Sequence, residues 1–165
     1  MSNLWSFNEK AMEEAIQTKK TFDFDLRSGV LVHAREIVEA LTGTYGGTYL
    51  PPLIDVIDSP EKFYGQYLPA LRLVKINLNY CRNFSTVLDA IAHECAHHVQ
   101  CVNWKTGFPP DFPLETAERA RKAFKDRKQR DGTYQEDKRR NDTDHESFAF
   151  WVQDNWAQLL GKRPS

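Results

Sequence analysis

The segment from residue 86 to residue 102 constrains the fold most, because it is apolar on one side and carries two histidines on the other. An α-helix turns by about 100° per residue, so His93 and His97 lie on one face, on successive turns. The opposite face is formed by apolar residues, namely Leu88, Ile91, Cys95, Val99 and Val102. Thr86 and Asp89 match a capping box, which predicts that this helix begins at Thr86.

The same segment contains the pattern H-E-x-x-H, which indicates a metal site. Imidazoles from successive helical turns can converge on one ion. Glu94 lies on the flank of the helix, where it can hold a water molecule at the ion without being a ligand. A helix whose histidines bind nothing is the alternative, but the apolar face avoids both ligand positions. His98, also on the flank, is predicted to be a packing or surface residue.

The rest of the chain combines helices and strands. Four further helices are predicted from hydrophobic periodicity, capping patterns and glycine stops, at residues 7–20, 30–43, 114–132 and 143–161. Two strands are predicted, at residues 53–58 and 71–79. Residues 131–142 have no hydrophobic period and are predicted to form a mobile loop. This order is typical of the α+β class, and a single domain over residues 1–165 is expected.

Composition and charge exclude several classes of protein. A hydrophobic content of 41% is too high for a disordered chain. The 22 basic and 23 acidic residues give a net charge of −1, which indicates neither a nucleic-acid nor an acidic-lipid partner. Three cysteines favour a reducing compartment, and neither a membrane-spanning run nor a secretory signal is recognisable. The expectation is a cytoplasmic protein without a membrane partner.

A catalytic zinc site needs a third protein ligand in addition to two histidines. Four candidate ligands stand together in the segment NDTDHESFAFWVQDNW, namely Asp142, Asp144, His145 and Glu146. Apolar residues at helical spacing follow them, so this helix can pack against the helix that carries the H-E-x-x-H pattern. Thr143 and Glu146 also match a capping box, which offers Glu146 a purely structural role. The local pattern leaves Glu146 and His145 as equal candidates, with the aspartates behind them.

The sequence AHECAHHVQ, residues 92–100, resembles the motif helix of gluzincin-type zinc metallopeptidases, in particular the neutral zinc metallopeptidases. That family's helix reads A-H-E-x-x-H-H-V-Q. Its third ligand is a glutamate in a later E-x-x-A helix, and Glu146 with Ala149 has this spacing. The acidic residue that usually follows the alanine is replaced by Phe150, and members of the family are often exported. The resemblance covers residues 72–104 and 142–157.

The resemblance implies a small zincin-like domain with a short mixed sheet beside the motif helix. It implies a zinc ion held by His93, His97 and Glu146. Glu94 would act as general base in the hydrolysis of a peptide or protein substrate. The strand at residues 71–79 would be the edge strand that pairs with an extended substrate. A donor to the oxyanion is also expected, and three residues are candidates for it: Tyr80, Tyr134 and His145.

A second resemblance gives a different third ligand. The SprT-like proteins also have a strand, an H-E-x-x-H helix and then a histidine ligand, and that histidine would be His145 here. Their usual glycine after this histidine is replaced by Glu146. SprT-like proteases act on DNA-bound proteins. The predicted ligand is Glu146, and His145 is the alternative.

Two other functions remain open. A metal-binding regulatory module that cuts nothing would need no general base, so the presence of Glu94 argues against it. Dense basic residues between residues 119 and 140 suggest a nucleic-acid partner. Acidic neighbours dilute their charge, so a solvated helix face is favoured. The expected function is that of a zinc metallopeptidase, and the oligomeric state is left open.

Overall fold

The computed structural model describes residues 9–105, 107–131 and 142–161. The helices in this part of the chain are α1 (Glu9–Gln17), α2 (Phe24–Tyr45), α3 (Phe84–Val99), α4 (Leu114–Asp131) and α5 (Asp142–Leu159). The strands are β1 (Leu53–Ile57), β2 (Gly65–Leu68) and β3 (Leu73–Asn77). A 3-10 turn (Pro69–Leu71) separates β2 from β3, and a π-helical turn (Gln100–Trp104) continues α3. Helices together with a small mixed sheet confirm the predicted α+β class.

The described strands form one mixed sheet in the order β1–β3–β2. β1 runs parallel to β3, with Leu53 opposite Leu73, and β2 runs antiparallel to it, with Gly65 opposite Ile76. Because β3 is hydrogen-bonded on both sides, the prediction that residues 71–79 form the edge strand is wrong. The prediction failed because it did not include β2. This strand has 4 residues, among them a glycine and a glutamine, and too little hydrophobic alternation to be recognised.

α3 is the helix around which the other elements pack. It contacts α2 and α5 and lies against β2 and β3. The apolar face expected for it is buried and includes Leu88, Ile91, Cys95 and Val99. Its N-cap is Asn83, whose Oδ1 accepts hydrogen bonds from the main-chain N–H and the hydroxyl of Thr86. The predicted start at Thr86 is therefore wrong, and Asp89 instead accepts a hydrogen bond from the indole of Trp156.

The second helix is longer than the sequence suggested. α2 begins at Phe24 rather than at Val30, because Asp23 caps it by accepting a hydrogen bond from a main-chain N–H of the first turn. The sequence did not predict this extension because it contains Gly29, and glycine is disfavoured inside helices. The structure explains the glycine, because a Cβ at this position would overlap Sδ of Met12. Gly29 therefore allows α1 to pack closely on α2.

A buried histidine on α3 ties the sheet to the segment that precedes it. Nε2 of His98 lies 2.7 Å from the carbonyl oxygen of Leu50, and Nδ1 lies 2.8 Å from the hydroxyl of Tyr67 in β2. Because a carbonyl only accepts, Nε2 carries the hydrogen and the Tyr67 hydroxyl donates to Nδ1. Burial lowers the pKa of His98, in keeping with a neutral ring. The packing role predicted for His98 is confirmed.

Several expectations fall partly outside the described residues. The first helix covers Glu9–Gln17 of the predicted 7–20; residues 7 and 8 lie outside the described part, and residues 18–20 are not helical. Residues 132–141 of the predicted loop also lie outside, and Tyr134 is among them. The single domain stays a prediction. No helix of the described ranges combines the length and the apolar character needed to cross a membrane.

Candidate metal centre

The packing of α5 against α3 brings the three predicted ligands together. Nε2 of His97 lies 2.7 Å from Oε1 of Glu146, and Nε2 of His93 lies 3.3 Å from Oε2 of the same carboxylate. One donor atom from each residue lies within 4.8 Å of the other two, a spacing that can hold a metal ion. Both oxygens of Glu146 face the histidines, so its carboxylate has a role beyond the helix cap that the sequence also allowed.

The apolar face of α5 sets the direction in which Glu146 points. Phe148, Ala149 and Val152 are fully buried. Residues three apart share a face of a helix, so the burial of Ala149 and Val152 turns Glu146 towards α3 as well. Farther along, Trp156 packs edge-on against His33 of α2, with ring centroids 4.7 Å apart. The E-x-x-A spacing thus has a packing reason, because the small Ala149 side chain lets α5 lie close to the core.

The electrostatics of the cluster couple Glu146 to both histidines. Burial alone would raise the pKa of Glu146, but hydrogen bonds from His93 and His97 outweigh it and hold that pKa well below its usual range. Burial alone would lower the pKa of His97, but the Glu146 carboxylate outweighs it and raises that pKa to about 9. The negative charge that holds a proton on His97 would also attract a cation placed between the three donors.

Gln100 fixes the orientation of His97. Its side-chain nitrogen lies 3.0 Å from the carbonyl oxygen of Gly107 and 3.0 Å from that of His145. Since both partners are acceptors, this end of the amide is the NH2 group, and the amide oxygen faces Nδ1 of His97 at 2.9 Å. Nδ1 therefore carries a hydrogen. Nε2 is left as the nitrogen that can bind a metal ion.

A second glutamine holds the other histidine. Nδ1 of His93 lies 3.1 Å from Oε1 of Gln153. The ring of Phe150 packs edge-on against His93, with centroids 4.5 Å apart. No local pattern in the sequence predicts a role for Gln100 or Gln153. The signal that identifies Gln153 is its position seven residues after Glu146, which places both on one face of α5.

Glu94, the predicted general base, lies beside the cluster and against the sheet. It is 8% exposed, and burial raises the pKa of its carboxyl group. Gly65, the first residue of β2, packs against it. A Cβ at Gly65 would lie 2.9 Å from Cγ of Glu94 and 3.2 Å from the carbonyl oxygen of Lys75. A side chain at this position would therefore displace Glu94 or the strand.

A cleft of about 620 Å³ runs along the first half of α3 and opens onto the site. Its floor includes three residues of α3, namely Asp89, His93 and Glu94. The sheet-side wall comes from the start of β2 and the segment after β3, and consists of Tyr64, Gly65, Tyr80 and Arg82. The helix-side wall comes from α4 and α5, and consists of Arg127, Glu146, Phe150 and Gln153. Glu94 and two of the clustered residues, His93 and Glu146, therefore line one cleft, and His97 is buried beside them.

Two other ligand candidates, His145 and Asp144, lie outside the cluster, and the side chain of Asp142 is not in the described part of the chain. The ring of His145 stacks on that of His97 with centroids 4.3 Å apart, and His145 is not among the described residues whose donor atoms converge. Asp144 forms an ion pair with Arg121 at 2.6 Å. Glu146 is thus the residue that completes the cluster with His93 and His97.

Two further expectations can be located in the structure. Tyr80, a candidate donor to the oxyanion, lines the cleft. Three arginines of α4 form ion pairs with acids of the chain, namely Arg119 with Glu115, Arg121 with Asp144 and Arg127 with Asp154.

The donor set suits zinc. Two imidazole nitrogens and one carboxylate oxygen are a common set of protein ligands in catalytic zinc sites, and hydrogen-bonded Nδ1 atoms fix both rings. His93, His97 and Glu146 thus form a site able to hold a metal ion. The chain matches no known protein-family profile, and no similar curated protein or solved structure was found. Function is therefore inferred from the site itself.

Proposed function

We propose that the protein is a zinc metallopeptidase that hydrolyses a peptide bond in a peptide or protein substrate. The observation that carries the proposal is the convergence of His93, His97 and Glu146, two of which line a cleft together with Glu94. A purely structural zinc site has four protein ligands and needs no additional buried carboxylate. The proposal implies a zincin-like domain, in which the motif helix packs under a short sheet, and its expected location is the cytoplasm.

Each residue of the site has a part in the proposed reaction. Zinc bound here would supply an activated water molecule and polarise the scissile carbonyl group. His93, His97 and Glu146 hold the ion, and the two glutamines keep both rings in orientation. Glu94, whose pKa is raised by burial, accepts a proton from water and passes it to the leaving amine.

An extended substrate can pair with β2. Within the described part of the chain β2 has a neighbour, β3, on one side, and its first residue Gly65 lies in the cleft next to Glu94. Main-chain hydrogen bonds to the outer edge of β2 would place a peptide across the site. Tyr80, on the same wall, is the candidate donor to the oxyanion.

The alternatives have less support. In the SprT-like alternative His145 is the third ligand, but its ring stacks on His97, and Glu146 occupies the position between the histidines. DNA-bound targets also lose support, because arginines of α4 pair with acids of the chain itself. A metal-binding module that cuts nothing would leave the buried Glu94 without a role.

Zinc content tests the ligand set. Elemental analysis of the wild type and of His145→Ala, after chelation and reconstitution, is expected to give about one zinc per chain. Glu146→Ala should retain much less. Loss of zinc only in His145→Ala would move the assignment to the SprT-like alternative, and an absence of zinc from the wild type would overturn the proposal.

Hydrolysis is tested separately from metal binding. A Glu94→Gln variant should bind zinc as the wild type does and lose hydrolysis, because an amide does not accept the proton. A mixture of peptides from a digested cell lysate offers many sequences at once, and mass spectrometry identifies those that are cut. Cleavage by Glu94→Gln at the wild-type rate would remove Glu94 from the mechanism.

A further inference from the structure

Arg127 lies next to the metal site although it belongs to a different helix. It comes from α4 and lines the same cleft as His93 and Glu94, with 24% of its side chain exposed. Its guanidinium group lies over the ring of Phe150, 4.2 Å from the centroid. The same ring packs edge-on against His93, with centroids 4.5 Å apart. One aromatic ring therefore separates a permanent positive charge from a predicted metal ligand.

Two contacts hold this guanidinium in place without using all of its donors. Stacking on Phe150 is a cation–π contact, which leaves the N–H groups at the edge of the guanidinium plane. Nη2 of Arg127 lies 3.4 and 3.5 Å from the carboxylate oxygens of Asp154, at the long limit for a hydrogen bond. Asp154 is 49% exposed, so water competes for this contact. Arg127 can therefore keep its position and still donate to a second carboxylate.

The charges that line the cleft favour an anionic group of the substrate. Apart from Glu94 and Glu146, which belong to the site, the described lining carries two arginines, Arg82 and Arg127, and one acid, Asp89. Asp89 is half-buried and already accepts a hydrogen bond from an indole of α5. A negative group of the substrate that enters the cleft would be attracted by these two guanidinium groups.

We propose that Arg127 binds a carboxylate of the substrate and so selects peptides with an acidic group close to the scissile bond. The inference rests on the proposed function, because it takes the metal site and Glu94 as the place of cleavage. A guanidinium group matches a carboxylate with two parallel N–H···O bonds. The carboxylate can belong to an aspartate or glutamate side chain or to the C-terminus of the peptide.

Matched hydroxamates test this inference without a known substrate. The monohydroxamic acids of succinic, glutaric and adipic acid carry a zinc-binding group and a carboxylate at different separations, and the corresponding amides lack the charge. Calorimetry on the zinc-loaded wild type is expected to show about tenfold tighter binding of the acid than of the amide for at least one chain length. Arg127→Gln should abolish this preference, and Arg127→Lys should keep part of it.

Arg119→Gln is the matched control. Arg119 lies on the same helix, is outside the described lining of the cleft and pairs with Glu115. This variant should keep the wild-type preference, and thermal melts compare the folding of all variants. Equal binding of acid and amide to the wild type would overturn the inference about Arg127 and leave the proposed function standing. Absence of any hydroxamate binding to the zinc-loaded wild type would overturn both.

Cleavage of the peptide mixture separates the two sources of the carboxylate. Cuts next to aspartate or glutamate inside peptides would assign the group to a side chain. Cuts confined to the last residues would assign it to the C-terminus. In both cases Arg127→Gln should lose the preference and Arg119→Gln should retain it. Cleavage by the wild type without regard to acidic groups would overturn the inference.

Discussion

The buried amide of Gln100 determines which nitrogen of His97 faces Glu146. It donates to two main-chain carbonyls and accepts from His97, so it cannot rotate without losing all three hydrogen bonds. Gln153 makes a contact of the same kind with His93. An amide orients an imidazole without adding a charge. Gln100 and Gln153 would therefore affect the affinity for a metal ion through the orientation of the histidine rings.

Replacing either glutamine by alanine should weaken zinc binding by about 10–100-fold, because the histidine ring loses the partner that orients it. Competition with a chromophoric chelator measures this affinity. Gln158→Ala, at an exposed glutamine later in α5, is the control and should bind zinc as the wild type does. An unchanged affinity in Gln100→Ala would mean that packing, rather than the amide, orients His97.

A methyl group at Gly65 should separate metal binding from catalysis. Gly65→Ala forces Glu94 or β2 to move, because the nearest atoms to the new Cβ belong to Glu94 and Lys75 and not to the three clustered residues. We expect a normal zinc content and hydrolysis slower by about a hundredfold, the effect of displacing a catalytic group by about 1 Å.

The control for this variant is Gly43→Ala in α2, where a Cβ would meet none of the described atoms within 4 Å. It should keep full activity and gain up to about 1 kcal/mol of stability, because alanine favours a helix interior over glycine. Wild-type hydrolysis by Gly65→Ala would show that Glu94 does not need its present position.

At the scale of elements, the contact between α3 and α5 makes the site, because the ligands come from both helices. Phe148 is fully buried at this contact. Its ring packs against other aromatic rings, including those of Tyr45, Trp104, Phe108, Phe112 and Trp151. These residues come from α2, from the turn after α3, from the segment before α4 and from α5. The aromatic cluster therefore holds α5, and with it Glu146, against the rest of the core.

Phe148→Ala should lower the free energy of unfolding by about 3–5 kcal/mol, because it removes a large ring from a buried cluster. Urea denaturation measures the loss. Phe24→Ala is the control, since Phe24 is 80% exposed and its loss should change stability by less than about 0.5 kcal/mol. A loss below about 1 kcal/mol in Phe148→Ala would contradict the role assigned to the cluster.

How much of each element was predictable depends on the range of the interactions that form it. His93 and His97 belong to one helix, whose geometry alone places them on the same face. The position of Glu146 depends on the packing of two helices that are distant in sequence. The local pattern therefore could not choose between Glu146 and His145 as the third ligand. β2 was missed because GQYL has no alternation, and its pairing with β3 depends on a long-range contact. Without β2, the prediction placed β3 at the edge of the sheet, whereas β3 is the central strand.

At the scale of the whole molecule, the site joins two parts of the chain that are far apart in sequence. His93 and His97 lie in α3 and Glu146 lies in α5, with α4 between them. A metal ion shared by these residues would link the two helices in the folded state, whereas the unfolded chain has no preformed site. Metal binding and folding should therefore be coupled.

Saturating zinc should raise the melting temperature of the chelated protein by about 5–10 °C. Binding at 100 times Kd contributes about 2.7 kcal/mol, and each kcal/mol shifts the melting temperature of a chain of this size by about 2–4 °C. Differential scanning calorimetry with and without zinc measures the shift. Glu94→Gln should show the wild-type rise and Glu146→Ala little or none. An equal rise in Glu146→Ala would place the ion elsewhere.

α3 is buried along most of its length, whereas the walls of the cleft come from other elements. Most substitutions in α3 would disturb the core or the metal site, which leaves that helix little freedom to vary. Wall residues such as Tyr64 and Arg82 are exposed and carry fewer packing contacts. A descendant of this protein could therefore acquire a new target by exchanging wall residues while its reaction centre stayed as it is. The exposed wall residues that neither hold the metal nor take part in the proposed reaction are the part of the site with most freedom to change.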